Sequence, residues 1–297
     1  MPLLQGRHTA QGVSAVTRPP GNGTPAALSP SEMGRVLAYL GVRPQRTDHA
    51  TLAALVAAYV RQVPWESAFR IARKDAAAGG TIPARRPADF WGDAVERGGG
   101  GTCFESNYAF FALLQAMGYA GYLTLNDMGD TVGCHTAIVV ETTGERYLTD
   151  VGLPLHRPLR LSPARATRSR GAFHTYVAQP LAADSYVIER TRHPKRYAFT
   201  LRNTPITDAD YYAASTADYG DRGLFLDRVI VNKVVGERVW RFSSGERPYR
   251  LEAFSQDGRR EEIPIEDRDV VITLAERFGM DAAVLERALV AVGAPHR

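Results

Sequence analysis

The stretch Arg97-Gly98-Gly99-Gly100-Gly101-Thr102-Cys103-Phe104-Glu105-Ser106-Asn107 leads directly into an apolar run from Tyr108 to Tyr119. Thr102 and Glu105 have the spacing of a capping box, which predicts a helix with Thr102 as N-cap and Cys103 as first residue. The unpaired N–H groups and the positive end of the helix dipole favour a thiolate there, and the glycines let backbone and substrate approach the sulfur. Cys103 is therefore a candidate nucleophile. The equal alternative is that Cys103 is only a small buried hydrophobic residue, as many free cysteines are.

Length and composition are those of an ordinary globular protein. The 297 residues are 44% hydrophobic and 23% charged with a net charge of +4, enough for a large core in two or three compact parts. The basic residues are scattered, so no nucleic-acid partner is expected, and the mild positive excess suits an anionic small molecule equally well. Two cysteines form no disulfide framework, and no segment resembles a signal peptide or a membrane span. We therefore expect a cytoplasmic protein without a membrane partner.

The first part of the chain has helical patterns. Residues 1–28 are rich in Gly, Pro, Thr and Ala without periodicity, which predicts a disordered tail. Order is expected to begin at the N-cap Ser29 of a helix that stops at Gly41. A second helix, carrying residues 52–60 on its apolar face, should end before Val63, because a residue that precedes proline resists the α conformation.

From Gly121 the pattern changes to short β-branched and aromatic segments separated by turn residues, which favours a barrel or a strongly twisted sheet. The strand-like segments cover residues 122–125, 135–141, 146–152, 175–177, 185–188, 196–201, 225–231 and 238–242. The chain ends with two helical patterns, Val270 to Phe278 and Asp281 to Val292.

The predicted hairpin that begins at His135 allows a test by parity. In an antiparallel pair the numbers of opposed residues sum to a constant. If Glu141 faces Arg146, then Asp150 lies opposite Ala137, and His135 and Asp150 are diagonal neighbours on one face within side-chain reach. A three-residue loop would place them on opposite faces, so the sequence permits this contact without requiring it.

Cys103, His135 and Asp150 together supply the groups that thiol catalysis needs. A thiol requires a base to take its proton, and the base requires a third group that fixes its tautomer and stabilises the imidazolium. Taken alone, His135 is better explained as a strand-start histidine bonded to backbone. Asp150 is less easily explained that way, because an aspartate inside an apolar strand normally needs a partner.

Other arrangements have less support. Four further histidines lie in predicted loops or helix starts without matching acids: His49, His156, His174 and His193. Cys134 and His135 are adjacent and point to opposite strand faces, so no metal site is expected. Glycines 98–101 lack the Lys-Ser/Thr ending of a P-loop, which disfavours phosphate binding of that type.

At this point the motifs resemble those of the arylamine N-acetyltransferase family. The family's Gly-Gly-x-Cys-x-Glu-x-Asn segment is similar to residues 100–107, and a strand-borne histidine follows, here His135. Its Leu-x-Asp-Val-Gly segment resembles residues 148–152, its Pro-Phe-Glu-Asn signature resembles residues 64–67, and its C-terminal Phe-Gly element resembles residues 278–279. The similarity runs in register from about residue 30 to 285 and covers most of the chain.

The resemblance implies an α+β fold with a cysteine-protease-like Cys-His-Asp core. It implies a helical domain over residues 29–119 that carries the nucleophile, a β-barrel domain over 120–222 that carries His135 and Asp150, and an α/β lid over 223–297. It also implies a ping-pong reaction, in which acetyl-CoA or another acyl-CoA acylates Cys103 and a small-molecule amine takes the acyl group, without a metal. The related ansamycin amide synthases share the fold but use an acyl carrier protein, which is the alternative partner.

The chain departs from the family pattern at three places. Gly99 stands where an arginine usually precedes the cysteine by four residues, and Arg97 lies two positions earlier. Leu153 and Pro154 replace the Phe-Gly of a loop that shapes the acyl-donor entrance, which changes its surface and its backbone freedom. Cys134 stands before the histidine, where a small hydroxyl residue is common.

Four side chains are expected to contact substrate: Trp65, Phe104, Cys134 and Leu153. For Phe104 and Leu153, plain core packing is an equal alternative. Backbone N–H groups at the start of the Cys103 helix are candidate donors to an oxyanion.

The sequence leaves three functions open. The first is a cysteine-dependent N-acyltransferase of this family, with Cys103 as nucleophile, His135 as base and then acid, and Asp150 as its orienting group. The second, motivated by Leu153 and Pro154, is an amide synthase or hydrolase that uses a carrier-bound or longer acyl thioester. The third, motivated by the displaced arginine, is a non-catalytic binding protein with the same fold.

Overall fold

A computed structural model describes residues 27–44, 46–77, 80, 82–182, 184–191, 196–220 and 223–294. The predicted tail lies outside the described residues except for Ala27 and Leu28, and so does His193. Leu28 is buried and packs in the core of the helices that follow. The α+β class expected from the sequence is confirmed.

Helices dominate the first and last parts of the described chain. The helices are α1 (Pro30–Leu40), α2 (His49–Gln62), α3 (Ala68–Ala76), α4 (Pro87–Arg97), α5 (Cys103–Ala116), α6 (Asp208–Ala217), α7 (Val270–Phe278) and α8 (Ala282–Ala291), with a 3-10 turn at Asp267–Asp269. No helix in this described part of the chain is long and apolar enough to cross a membrane.

The strands form two antiparallel sheets. The strands are β1 (Trp65–Glu66), β2 (Ala120–Met128), β3 (Thr131–Thr142), β4 (Glu145–Leu148), β5 (Leu159–Leu161), β6 (Thr167–Arg170), β7 (Thr175–Ala182), β8 (Ser185–Arg190), β9 (Tyr197–Arg202), β10 (Ile230–Val235), β11 (Arg238–Ser243), β12 (Arg250–Ser255) and β13 (Arg260–Pro264).

The helix boundaries follow the local signals in the sequence. The capping box of Ser29 and Glu32 starts α1, and Gly41 ends it with a φ of 68°. Helix α2 ends before Val63, whose backbone is extended ahead of proline. Asp281 caps α8 through hydrogen bonds from two backbone N–H groups. These predictions are confirmed because each depends on contacts within one turn.

The larger sheet has eight strands in the order β5-β4-β3-β2-β9-β8-β7-β6. Its edge strands β5 and β6 lie side by side, so the sheet is a nearly closed barrel. Helix α5 packs against β2 and β3, and its residues from Cys103 to Leu114 are all buried. This packing places the predicted nucleophile beside the strand that carries His135.

The smaller sheet has the order β1-β10-β11-β12-β13 and joins distant parts of the chain. Trp65 in β1 pairs with Asn232 in β10. Side chains of α3 share a core with this sheet and with α7 and α8. The C-terminal sheet is therefore attached next to the segment that leads to Cys103.

The strand predicted over residues 225–231 is wrong in its first half. Strand β10 begins only at Ile230, and Phe225 has a φ of 60°, in the left-handed region that a strand does not use. Phe225 and the preceding Leu224 line a cavity described below, and Phe225 does not take part in the alternation of a strand.

Candidate active site

Cys103 is the first residue of α5, as the sequence predicts, but the capping box is absent. Thr102 is the N-cap without a side-chain hydrogen bond to the helix. Its hydroxyl instead accepts from Nη1 of the buried Arg70 at 2.7 Å, and Glu105 lies 3.3 Å from Nε of Arg85. Charge-assisted contacts with guanidinium groups are stronger than neutral capping bonds. The side chains of Thr102 and Glu105 therefore contact the two arginines and do not form the capping box.

The glycines before Cys103 serve the packing of the protein. A Cβ atom on Gly100 would lie 1.8 Å from the carbonyl oxygen of Pro64, so only glycine fits there. The Gly100 N–H donates to Glu66 at 3.1 Å, and its carbonyl accepts from Arg85. We expected the glycines to let substrate approach the sulfur. In the structure they allow close packing against neighbouring segments of the protein.

The hairpin has the register that the parity argument requires. Glu141 pairs with Arg146, and the ladder continues to Val139 and Leu148. Asp150 lies just beyond the ladder, and its Oδ2 is 2.6 Å from Nε2 of His135. His135 and Asp150 therefore meet.

The carboxylate of Asp150 is held by a complete set of donors. Its Oδ1 accepts from Nδ2 of Asn107 at 3.0 Å and from the N–H groups of Gly152 and Leu153 at 2.8 and 2.9 Å. The side chain is fully buried. With Oδ1 saturated, Oδ2 is left to receive the N–H of His135.

The electrostatics of His135 favour its charged form. Burial alone would lower the pKa of His135, but the Asp150 charge and hydrogen bonds with Asp150 and the Cys103 thiol outweigh it and raise the pKa to about 10. Because Nε2 is used by Asp150, the other ring nitrogen is left for the thiol. The site therefore favours an imidazolium beside the sulfur at neutral pH.

Two hydrogen bonds lock the start of α5 onto β3, and the loop after Asp150 packs against it. Thr136 Oγ1 donates to the Cys103 carbonyl at 2.9 Å, and Asn107 Nδ2 donates to the Thr136 carbonyl at 2.7 Å. A Cβ on Gly152 would lie 2.5 Å from Cα of Cys103, so the loop after Asp150 packs directly on the cysteine. The sequence analysis did not identify Asn107 and Thr136 as residues that position Cys103 and Asp150. Asn107 lies in a buried helix and Thr136 in a strand, and no pattern in the neighbouring residues indicates such a role.

A second buried network supports the segment before Cys103. The guanidinium of Arg85 contacts Asp93 at 3.0 Å and Glu105 at 3.3 Å, and the Tyr219 hydroxyl donates to Glu105. Although burial raises the pKa of Glu105, Arg85 and Arg70 outweigh it and hold the pKa below its ordinary value. Arg85 lies in a segment that the sequence marks only as a connection, so nothing local predicts it.

Arg97, in contrast, meets this network only at its partly exposed edge, where it lies 3.6 Å from Asp93. Its side chain is 42% exposed and pairs with Asp281 at 2.8 Å. The buried cations beside the nucleophile's loop are therefore Arg70 and Arg85, while Gly99 stands where the sequence comparison led us to expect an arginine.

Replacing Arg85 by methionine should destabilise the protein strongly. Glu105 would stay buried without its nearest guanidinium, and breaking a buried ion pair costs about 3–5 kcal/mol. Urea unfolding followed by circular dichroism measures the decrease in the free energy of unfolding. Arg97→Met is the matched control, since an exposed pair contributes at most about 1 kcal/mol. Equal losses in the two variants would contradict the supporting role of Arg85.

An apolar cavity of 190 Å³ opens beside Cys103 and His135. Three of the expected substrate contacts line it, namely Trp65, Cys134 and Leu153. Trp65 packs edge-to-face on Phe225 at a centroid distance of 5.0 Å. Phe104 does not line this cavity and packs in the core against Tyr211. The arrangement presents a thiol and an imidazole to a mostly apolar ligand site.

No group of three or more His, Cys, Asp or Glu side chains among the described residues could hold a metal ion. A thiol, imidazole and carboxylate in this order are the constellation of enzymes that form covalent intermediates on cysteine.

Comparisons with known proteins identify the family. A family profile described as N-acetyltransferase matches residues 48–287. Arylamine N-acetyltransferase 1 of Felis catus is 25% identical over 199 residues, which cover 58% of this chain and 74% of that protein.

Solved structures show the same fold. The arylamine N-acetyltransferase of Mycobacterium marinum superposes with a TM-score of 0.74 at 21% identity, over 89% of this chain and 100% of that chain. A second structure of the Mycobacterium marinum enzyme, in complex with CoA, has a TM-score of 0.73 at 20% identity over the same shares. The protein is thus an acyltransferase by class. With the profile covering most of its length, the chain belongs to the arylamine N-acetyltransferase family.

Proposed function

We propose that this protein transfers an acetyl or other acyl group from a CoA thioester to an amine through a thioester on Cys103. The observation that carries the proposal is the contact of His135 with Asp150 at 2.6 Å beside the Cys103 thiol at the cavity. Membership of the family and the CoA complex of a protein with the same fold support acyl-CoA as co-substrate.

In the first half-reaction the proton of the Cys103 thiol passes to His135 and forms the imidazolium that the site favours, and the sulfur attacks the thioester carbonyl. The bond to the CoA sulfur breaks as His135 returns the proton to the leaving thiolate. The first N–H groups of α5 lack partners within the helix, which makes them candidate donors to the oxyanion.

In the second half-reaction an amine attacks the acyl group on Cys103. His135 now removes the proton of the attacking nitrogen and gives it to the sulfur as the C–S bond breaks. Asp150 keeps the imidazole in the orientation that both steps need and stabilises its positive charge.

Intact-protein mass spectrometry after brief exposure to acetyl-CoA without an acceptor tests this proposal. We expect one acetyl group per chain, located on Cys103 by peptide mapping, and released when an arylamine is added. Acetylation that survives in Cys103→Ala, or turnover without an adduct on the chain, would contradict the mechanism.

A longer or carrier-bound acyl group is the second candidate donor. Leu153 and Pro154 line the cavity where the family has Phe-Gly, and the lining is largely apolar. Rates of adduct formation with acetyl-CoA, longer acyl-CoA and an acylated carrier protein separate these donors. A strong preference for acetyl-CoA would count against the second candidate.

We also propose a division into parts over residues 29–119, 120–222 and 223–297, working in the cytoplasm. The division is supported by the origins of the cavity wall, because α5, the barrel and the C-terminal sheet each contribute side chains to it. The free thiols of Cys103 and Cys134 support a reducing compartment.

A further inference from the structure

A concentration of positive charge lies on the outside of the barrel. Residues 151–183 contain five arginines and no aspartate, glutamate or lysine, so this segment carries more positive charge than the net +4 of the whole chain. The arginines are spaced out along the sequence, and all five are exposed. Four of them form what we call the arginine strip: Arg157, Arg165, Arg168 and Arg170.

The arginine strip has no carboxylate partners among the described residues. The fifth arginine of the segment, Arg160, pairs with Glu145 at 2.5 Å, and Arg146 on the neighbouring strand pairs with Asp184 at 3.0 Å. No ion pair joins a member of the strip to any part of the chain that the structure describes. Gathered like charges repel one another, so an anionic partner would stabilise this surface.

The strip begins at the rim of the cavity that holds the nucleophile. Arg157 directly follows His156, which lines the cavity together with Cys103. A Cβ atom on Gly171, the residue after Arg170, would lie 3.0 Å from Cβ of His156. Both ends of this segment therefore meet at the same wall of the cavity.

From the rim the strip runs along β6. Arg168 and Arg170 are the exposed positions of this strand and lie about 7 Å apart along it. Arg165 extends the strip into the preceding loop, where the Thr167 hydroxyl donates to the Arg160 carbonyl. The positive charge is thus spread along a strand and a fastened loop, which suits an extended anionic surface.

A further cation adds to the positive field at the rim. Burial lowers the pKa of His156, and the positive charges of Arg61 and Arg190 lower it further, to about 4. The described residues that line the cavity include no aspartate or glutamate. Positive charge therefore reaches the cavity from α2 as well as from the barrel.

We propose that the arginine strip docks an acidic acyl carrier protein, which delivers its acyl thioester into the cavity on a flexible arm. Complementary charge steers such a partner to the strip, and the strip borders the cavity of the thiol that accepts the acyl group. This position favours an acyl-bearing protein over a membrane surface. The phosphates of CoA lie within one nucleotide and would use only part of the strip.

This inference rests on the proposed function, and it selects the carrier-bound thioester among its donors. The bond between the acyl carbon and the sulfur of the arm breaks as the bond to the Cys103 sulfur forms. The proton of the Cys103 thiol passes through His135 to the departing thiolate of the arm. No oxidant or reductant is needed.

Rates of adduct formation on Cys103 test the docking surface. Three donors carry the same acetyl group, namely an acidic type II acyl carrier protein, CoA and pantetheine. We expect the carrier to react at least about tenfold faster than acetyl-pantetheine, and Arg168→Gln/Arg170→Gln to lower this ratio about tenfold. Arg43→Gln/Arg259→Gln removes the same charge from exposed arginines elsewhere and should keep the ratio.

Ionic strength gives a second readout that needs no variant. Raising the salt concentration from about 0.05 M to about 0.5 M screens exposed charges. The rate with the acetylated carrier should fall about tenfold over this range, while the rate with uncharged acetyl-pantetheine changes little. This comparison decides the question if the double variant does not fold.

Three results would overturn the proposal. The first is the same ratio of carrier to pantetheine rates in both double variants. The second is an equal loss with acetyl-CoA and with the carrier in Arg168→Gln/Arg170→Gln, which would assign the strip to the phosphates of CoA. The third is binding to phosphatidylglycerol vesicles that this variant loses while its carrier rate stays at the wild-type value. An acetyl adduct from acetyl-CoA on Cys103 would leave the proposed function standing in each case.

Discussion

Cys103→Ala should lose at least about 10⁴-fold in turnover while keeping the fold. Of the two thiols among the described residues that line the cavity, that of Cys103 is the one hydrogen-bonded to His135. Without it, His135 and Asp150 have no nucleophile to activate. Loss of one sulfur from the side of a cavity leaves the core intact, so the melting temperature should change little. Amide formation from an acyl-CoA and an arylamine measures the effect.

Cys134→Ala is the matched control for this prediction. Its thiol lies in the same cavity and donates to the Thr131 carbonyl at 3.3 Å, away from His135. This variant should still take up one acyl group from acyl-CoA. If Cys134→Ala took up no acyl group while Cys103→Ala still did, the nucleophile would be Cys134 and the prediction would be wrong.

Asp150→Asn should lower turnover by roughly 10³–10⁴-fold by fixing the wrong tautomer of His135. Three N–H donors converge on the Oδ1 position, so the amide oxygen of asparagine must occupy it. The amide NH₂ then points at Nε2 of His135 and donates to it. The imidazole proton moves to the ring nitrogen that faces Cys103. With a proton already bound, this nitrogen can no longer accept the proton of the thiol.

The pH dependence of Asp150→Asn follows from the same geometry. In the wild type the pKa of His135 is raised to about 10, so its contribution to stability is fully present below its unfolded pKa of about 6.5 and lost as the pH rises through 10. The free energy of unfolding of the wild type should therefore fall as the pH rises from about 6.5 to 10. Without the Asp150 charge the pKa of His135 is lower, so the free energy of unfolding of Asp150→Asn should stay nearly constant over this range.

Two measurements check the prediction for Asp150. Alkylation of Cys103 by iodoacetamide at pH 7 should slow in Asp150→Asn, because an imidazole held in the wrong tautomer no longer takes the proton of the thiol. Asp130→Asn, an exposed substitution in the turn before β3, is the control with the same chemical change. A variant that keeps wild-type alkylation rates would show that Asp150 does not set the state of His135.

Local signals in the sequence were sufficient for several helix boundaries, whereas α3 and α6 were not predicted. The capping box at Ser29, the proline after Val63 and the N-cap at Asp281 each act within one turn, so they determine boundaries without help from the rest of the chain. The pairing of Glu141 with Arg146 was one of the registers that the sequence allowed, and a two-residue turn selects it. Asp150 lies just beyond β4, and its contact with His135 comes from the loop that follows the strand.

Two predictions failed where tertiary contacts outweighed a local preference. Thr102 and Glu105 have the capping-box spacing, yet the buried guanidiniums of Arg70 and Arg85 take their oxygens. The segment at Phe225 looks like a strand, but its side chains turn to the cavity and pack on Trp65 from β1. In both cases the deciding partner is far away in sequence.

The sequence by itself determined the helix that begins at Cys103 and the resemblance that names the family, and it permitted a contact between His135 and Asp150. Only the tertiary structure decided that this contact forms, how α5 and β3 meet, which buried arginines support the nucleophile's loop, and that distant segments line one cavity beside the thiol. Local hydrogen bonds and side-chain periodicity are written in neighbouring residues. The burial of Arg85 and the cavity beside Cys103 exist only once distant segments exclude water together.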